Sequence, residues 1–150
     1  MHKRLLSLSM MLALSATITA QSNGIGVGID TDGLTGKYWM NSSNALSIHW
    51  NLEAALAVDY LFNQPDMLNV TRAPTPVYYG FGAAVALKDG HNDDGEKTTD
   101  VHLAARGVVG VSYYISAFPM DVYLEATPTL GLLGGGGLDV GGALGVRYFF

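Results

Sequence analysis

Apolar residues recur at every second position along most of the chain, with small or polar residues between them. The clearest case is residues 138–150, where one face carries leucine, valine and aromatic side chains and the other is mainly glycine and alanine. Period-two alternation is typical of a β-strand with two different faces. The pattern predicts about eight antiparallel strands, an even number as in single-chain bacterial barrels: residues 24–31, 34–40, 46–53, 55–62, 77–87, 101–115, 122–130 and 138–150.

The second face of these strands favours a membrane barrel over a soluble one. In a soluble barrel the face away from the core meets water and is rich in charged residues, whereas here it is mainly Gly, Ala, Ser and Thr. Only 14% of the residues are charged. No apolar run after residue 20 has the length of a membrane-spanning helix, and a membrane protein without one must be a closed barrel. We therefore predict an all-β, antiparallel up-and-down transmembrane β-barrel, with a soluble secreted barrel as the alternative.

The first twenty residues have the features of an export signal. His2, Lys3 and Arg4 form a basic start, residues 5–16 are a short apolar core, and Ala20 is a small residue at a plausible cleavage point. The prediction is a signal peptide at 1–20 followed by one barrel domain at 21–150. A membrane-anchoring helix is the alternative, but this stretch is short and interrupted by serines.

The net charge argues against nucleic-acid binding, and the cysteine content excludes stabilisation by disulfides. Without Lys3 and Arg4 the basic residues fall from 8 to 6 against 13 acidic ones, a formal charge of −7. Such an acidic chain is not expected to bind nucleic acid. The chain has no cysteine, so disulfides and thiolate metal sites cannot stabilise it.

Aromatic residues mark one rim of the predicted barrel. If both termini are periplasmic, even-numbered strands end at that rim and odd-numbered strands begin there. Nearly all the aromatic residues at strand ends then belong to the girdle expected at a membrane interface, with Trp50 as the main exception: Tyr38, Trp39, Tyr60, Phe62, Tyr78, Tyr79, Tyr113, Tyr114, Tyr123, Tyr148, Phe149 and Phe150. We expect a bacterial outer-membrane location with both termini in the periplasm.

Isolated charges on the small-residue face predict an ionic cluster inside a narrow, filled lumen. Lys37, Asp59, Glu125 and Arg147 fall at a similar depth from the periplasmic ends, and Arg106 lies higher. A lone charge in a dry lumen is costly, so we expect Glu125 to pair with Arg147. If the strand stagger brings Arg106 level with Glu125, the two could exchange ion-pair partners and form a gate. The alternative is that each charge meets lumen water near the rim.

Two polar residues raise the question of catalysis. Ser47 and His49 lie two residues apart on one predicted strand, with Glu53 further along. A base two residues from a nucleophile shares its face, and some small barrels modify lipid A. That face is the lumen, however, whereas a lipid deacylase must present its nucleophile to the membrane. We therefore predict that both are lumen polar residues within a hydrogen-bonded network, and that neither is catalytic.

Two other motifs are interpreted as structural. Residues 88–100 form the only dense acidic patch, but their spacing does not match a calcium-binding loop, so a solvated extracellular loop is predicted. Gly24, Gly26 and Gly28 resemble the start of a dinucleotide motif, but no helix follows, and their alternation indicates a tightly packed strand wall. No metal or cofactor site is predicted.

Several short motifs resemble those of known outer-membrane barrels. The segment 145–150, Gly-Val-Arg-Tyr-Phe-Phe, resembles the C-terminal strand of outer-membrane proteins, and the eight-strand layout is similar to the OmpA-type transmembrane domain. Segments 37–39, 77–80, 124–128 and 145–149 resemble a family of short uncharacterised bacterial outer-membrane proteins. The resemblance implies that Tyr148, Phe149 and Phe150 form the signal read by the periplasmic barrel-assembly machinery. It carries no established activity.

The sequence as a whole favours a structural or interaction role over a chemical one. We expect an integral outer-membrane protein, monomeric and not an enzyme, in contact with outer-membrane lipid and lipopolysaccharide. A narrow pore for water or small ions is the second hypothesis. A lipid A modifying enzyme is the third.

Overall fold

The computed structural model describes residues 24–52, 54–64, 76–115 and 117–150. The predicted signal peptide and Glu53 lie outside these residues. The described chain is all-β and consists of eight strands: β1 (Gly24–Asp30), β2 (Gly33–Trp39), β3 (Asn44–Asn51), β4 (Ala55–Gln64), β5 (Val77–His91), β6 (Lys97–Ile115), β7 (Met120–Leu133) and β8 (Leu138–Phe149). Among the described residues, no helix is long and apolar enough to cross a bilayer.

Each strand pairs antiparallel with the next, and β8 returns to β1, which closes the sheet into an up-and-down barrel. The closing register joins Gly26 to Phe149 and Asp30 to Gly145. At the β1–β2 turn the Asp30 carboxylate accepts hydrogen bonds from the backbone N–H groups of Asp32 and Gly33, both at 2.8 Å. The predicted eight-stranded antiparallel fold is confirmed. We call the end where β1 begins and β8 ends the terminal rim, and the opposite end the far rim.

Side chains alternate between the inside and the outside of the barrel. Large apolar side chains on the outside are about half exposed, for example Ile29 at 60%, Leu124 at 56% and Leu144 at 53%. The inside carries small, polar and charged side chains together with a few aromatic rings. This is the reverse of a soluble barrel, in which the apolar face lines the core.

The aromatic residues near the terminal rim divide between the two faces. On the outside, ring centroids lie 5.4 Å apart for Phe62 and Tyr79, and 5.1 Å apart for Tyr148 and Phe150. Five rings predicted to join this outer girdle instead lie inside the lumen or face into it: Trp39, Tyr78, Tyr114, Tyr123 and Phe149. Because consecutive residues of a strand point to opposite faces, an aromatic pair supplies one ring to each face.

The barrel wall is uneven in height. β1 and β2 have 7 residues each, whereas β5 has 15 and β6 has 19. The extra residues stand at the far rim, where β5 and β6 continue as a two-stranded hairpin to a turn at residues 92–96. The prediction of a loop at 88–100 was therefore wrong for most of its length. Backbone pairing does not need an apolar face, and the alternation disappears where both faces of a hairpin meet water.

Candidate functional site

All five charged residues of the predicted ionic cluster point into the lumen. Lys37, Asp59, Glu125 and Arg147 are at most 3% exposed, and the side chain of Arg106 is 13% exposed. Two further carboxylates, Asp30 and Asp121, join them with side chains fully buried. The contacts divide these residues into an ion pair near the terminal rim, an isolated lysine, and a larger cluster around His49.

The ion pair joins Arg147 to Asp121 across β7 and β8. The Arg147 Nε and Nη2 atoms donate to the two Asp121 oxygens at 3.1 and 2.9 Å, and both side chains are fully buried. The guanidinium carbon also lies 3.9 Å from the centre of the Tyr123 ring. A bidentate pair of this kind is strong and directional. The expected pairing of Arg147 with Glu125 was wrong, because the register sets Asp121 directly opposite Arg147.

The larger cluster places three carboxylates around His49. His49 Nδ1 lies 3.0 Å from Asp30, while Nε2 lies 3.7 Å from Glu125 and 3.9 Å from Asp59. Arg106 neutralises Asp59 at 2.9 Å. We call these residues, with Tyr78 and Tyr123, the His49 cluster. Tyr78 donates to Glu125 at 2.7 Å and Tyr123 donates to Asp30 at 2.8 Å, so the cluster connects strands on opposite sides of the barrel.

Lys37 has a different environment from the other buried cations. Its Nζ donates to the Asn63 side chain at 3.1 Å and lies 4.3 Å from the Trp39 ring centre and 4.9 Å from that of Tyr78. No carboxylate of the described residues lies within salt-bridge distance of it. Aromatic faces attract an ammonium group electrostatically, and desolvation strengthens that attraction. The Lys37 charge is therefore met by ring faces and an amide.

Glycines make room for the aromatic rings inside the barrel. A Cβ atom added to Gly145 would lie 2.6 Å from the Tyr123 ring, and one added to Gly26 would lie 2.6 Å from the Phe149 ring. Both distances are far below van der Waals contact. The predicted tight wall around Gly26 therefore has a specific cause, which is a ring lying flat against the strand.

Replacing Gly145 with alanine is expected to destabilise the barrel by about 1–3 kcal/mol, the usual cost of overpacking. The added methyl group would displace Tyr123 and strain its bond to Asp30. Urea unfolding of the refolded protein measures the change. Gly137→Ala is the matched control because no atom lies within 4 Å of its Cβ position. Equal stabilities of the two variants would contradict this packing.

The lumen is filled near the terminal rim and accessible near the far rim. Between Arg106 and the terminal rim, inward residues such as Ser47, Asp59 and Ser112 are at most 1% exposed. Closer to the far rim, several inward residues are small and partly accessible, including Ala84, Ala86 and Ala104. Several deeply buried polar atoms have no hydrogen-bond partner among the described residues, including Ser112 Oγ and Arg147 Nη1. Buried polar groups of this kind are usually satisfied by internal water.

The residues considered for catalysis do not form a nucleophilic pair. Ser47 and His49 both point into the lumen, as the alternation indicates, but Ser47 Oγ has no hydrogen-bond partner in the part of the chain that the structure describes. His49 is held by Asp30 and faces carboxylates rather than Ser47. Among the described residues, no group of His, Asp and Glu side chains has the geometry to hold a metal ion. The arrangement can cross-link strands electrostatically, and it presents no aligned reacting atoms.

The segment implied to be an assembly signal belongs to the closing seam of the barrel. Tyr148 and Phe150 point outward at 43% and 74% exposure, whereas Phe149 is 1% exposed inside the lumen. Phe149 N–H donates to Pro119 O at 2.7 Å and Phe150 N–H donates to Ile25 O at 2.9 Å. The three residues therefore tie β8 to both of its neighbours at the terminal rim.

Comparison of the chain with protein families, curated proteins and solved structures finds no match. The interpretation of the lumen therefore depends on its own geometry. Sequence reasoning missed Asp30, Asp121 and the central position of His49. The alternation could have identified all three, since each occupies a position of its strand that points inward.

Proposed function

We propose that the chain is an integral outer-membrane β-barrel with a structural or interaction role, and that its filled lumen makes it a plug rather than a pore. The observation that carries the proposal is the apolar outer surface. Large apolar side chains with exposures of 37–75% occur on every strand of the ring. Soluble monomers rarely expose apolar patches larger than a few hundred Å². Hydrocarbon is the solvent that suits this surface.

The proposal extends to location and partners. The band of aromatic rings around the terminal rim suits a membrane–water interface. With that rim in the periplasm, both ends of the barrel domain are periplasmic and the charged β5–β6 hairpin is extracellular. Outer-membrane lipid and lipopolysaccharide are then the partners of the outer wall. The barrel-assembly machinery would bind Tyr148, Phe149 and Phe150, in keeping with the similarity to OmpA-type domains.

The filled lower lumen supports a plug over the alternative of a narrow pore. Arg147, Asp121 and Tyr123 are at most 1% exposed and pack together inside the lumen, where they project from the neighbouring strands β7 and β8. We expect the purified protein in a planar bilayer to give no sustained channels. Sustained conductance would favour the pore. A lipid A enzyme would be supported by a change in the mass profile of lipid A in cells that express the protein.

The cost of a charge on the outer wall tests the membrane proposal. Val109→Arg and Leu124→Arg are expected to cost about 2–4 kcal/mol near the bilayer midplane, whereas Tyr148→Arg near the rim should cost about 0–1 kcal/mol for the charge itself. All three side chains are about half exposed, at 55%, 56% and 43%. In a water-soluble barrel their exposures would make all three substitutions similarly mild.

Unfolding free energies of the three variants in lipid vesicles measure these costs. Heat-modifiable migration of the unboiled protein from an outer-membrane fraction tests location and closure together. Equal tolerance at the three positions, with no heat-modifiable form in that fraction, would contradict the proposed function.

A further inference from the structure

The closed wall has a gap above the β1–β2 turn. β8 pairs with β1 from Phe149 to Gly145, and the last contact is the bond from Thr31 N–H to Leu144 O at 3.0 Å. Beyond it, residues 138–143 of β8 have β7 on one side and no described strand on the other. We call the space above the β1–β2 turn, between this edge of β8 and the β3–β4 turn, the notch. Six residues of strand correspond to about 20 Å, or about 15 Å along the axis at the usual tilt.

The notch lies at the level of the apolar outer wall. β7 and β8 remain apolar on the outside beside it, with Leu130 49% exposed, Val140 66% and Leu138 75%. The floor of the notch is polar, because the β1–β2 turn carries the exposed residue Asp32. A membrane-crossing strand needs about 9–11 residues. β8 has 12 and β7 has 14, but β1 and β2 have 7 each. One side of the barrel is therefore too short to cross a bilayer of normal thickness.

Hydrocarbon is a poor occupant of the notch. The free edge of β8 presents backbone N–H and C=O groups without a partner strand, and of these the Val140 N–H donates to the Asp139 carboxylate at 2.9 Å. Backbone groups left unpaired carry a large free-energy cost in lipid tails. Gly141 and Gly142 lie on this edge and have no side chains to shield it, and both are exposed. The lumen behind the notch is also polar in part, since His102 and Asp139 line it. These groups require water or polar lipid headgroups.

We propose that the barrel thins the outer leaflet on one side, so that water and lipid headgroups descend through the notch to the β1–β2 turn. Beyond β8, which borders the notch, lipid tails cover β7 as far as its far-rim leucines. A bilayer adapts to a short hydrophobic surface by local thinning at modest cost. The inference rests on the proposed function, because it takes the outer wall to be in a membrane. It identifies the partner of the notch as the polar surface of the leaflet.

The test compares the water accessibility of two outward positions, because a flat bilayer and a locally thinned one predict opposite orders. Leu34 and Leu130 both point outward and have similar exposures, 44% and 49%. Leu124 is paired with Leu144, the residue bonded to Thr31, and Leu130 lies six residues further toward the far rim. A flat bilayer must therefore cover Leu34 whenever it covers Leu130. Local thinning reverses this order. The chain has no cysteine, so single-cysteine labelling is unambiguous.

Leu34→Cys and Leu130→Cys would be refolded into dioleoylphosphatidylcholine vesicles and labelled with a membrane-impermeant maleimide. Asp93→Cys in the exposed β5–β6 turn gives the rate of a fully accessible site and corrects for barrel orientation. We expect Leu34→Cys to react at nearly that rate. Leu130→Cys should react at no more than about one tenth of that rate, because an apolar environment suppresses the reactive thiolate. Ile29→Cys and Leu132→Cys repeat the comparison on β1 and β7.

The outcomes separate this inference from the proposed function. Protection of both sites would mean that lipid tails, a peptide or a second copy fills the notch, which would overturn the thinning and leave the membrane barrel intact. Slower labelling of Leu34→Cys than of Leu130→Cys would overturn it equally. Labelling of both sites at the Asp93→Cys rate would show that the wall is not in the bilayer, and the proposed function would then fail as well.

Discussion

Replacing Arg147 with alanine is expected to destabilise the barrel by about 3–5 kcal/mol, because it leaves the Asp121 carboxylate buried without its partner. Both side chains are fully buried, and the pair is bidentate. The same substitution removes the guanidinium from the Tyr123 ring. Asp121→Ala should have a comparable effect, since it leaves an uncompensated cation. Equilibrium urea unfolding in detergent or lipid measures each variant.

The double variant identifies the pairing. Removing Asp121 and Arg147 together should cost less than the sum of the single effects, with a coupling energy of about 0.5–3 kcal/mol. The cycle of Glu125→Ala with Arg147→Ala is the control, because Glu125 is bonded to Tyr78 rather than to Arg147. Its coupling energy should be clearly smaller than that of the Asp121–Arg147 cycle. Coupling in the second cycle and additivity in the first would restore the pairing expected from the sequence and contradict the structure.

Strand number and facing were predictable because both depend on local alternation. The predicted strand 77–87 and the observed β5, Val77–His91, begin at the same residue and share every inward position. The extension to His91 was not predictable in this way. Lys88 and Asp89 lie on the part of β5 that extends beyond the height of the short strands β1 and β2. Neither face of β5 is apolar there, so the sequence shows no alternation.

Pairing inside the lumen depends on register, which a single sequence does not contain. Counting residues from the strand ends predicted that Glu125 and Arg147 lie at the same depth. The register of β7 and β8 instead sets Arg147 opposite Asp121. Asp30 was overlooked for a similar reason. It belongs both to the β1–β2 turn and to the His49 cluster, and only barrel closure brings it to Tyr123 on β7. Contacts across a closed sheet join residues distant in sequence, so local patterns do not specify them.

The uneven wall changes how the lumen and the membrane would be related. The His49 cluster lies just inside the short side, since Asp30 ends β1 and bonds both His49 and Tyr123. Tyr78 and Glu125 continue the cluster toward the tall side. The most polar part of the interior is thus closest to the part of the wall that lacks a strand. A polar leaflet surface at the notch would hydrate the Asp30 end of the His49 cluster. The filled part of the lumen near the terminal rim would stay closed.

Deleting Tyr148–Phe150 is expected to abolish assembly into the outer membrane. The deletion removes the Phe149 ring from the lumen, where it lies against Gly26, and the backbone bonds from Phe149 to Pro119 and from Phe150 to Ile25. β1 and β7 then lose their partner at the terminal rim, which leaves unpaired edges within the wall proposed to span the membrane. Loss of the proposed recognition signal adds to this effect. The measurement is the amount of heat-modifiable protein in the outer-membrane fraction.

A deletion of equal length separates this effect from shortening of the chain. Removing residues 93–95 takes three exposed residues from the β5–β6 turn, far from the closing seam, and should leave assembly near its normal level. Refolding of both deletion variants into detergent micelles distinguishes the two causes. A chain lacking Tyr148–Phe150 that closes in micelles but not in cells would isolate the recognition signal, whereas failure in both would indicate that the seam itself is required. Normal outer-membrane levels of that variant would contradict both roles, because β8 would then close without Tyr148 and Phe149, two of the five residues that pair it with β1.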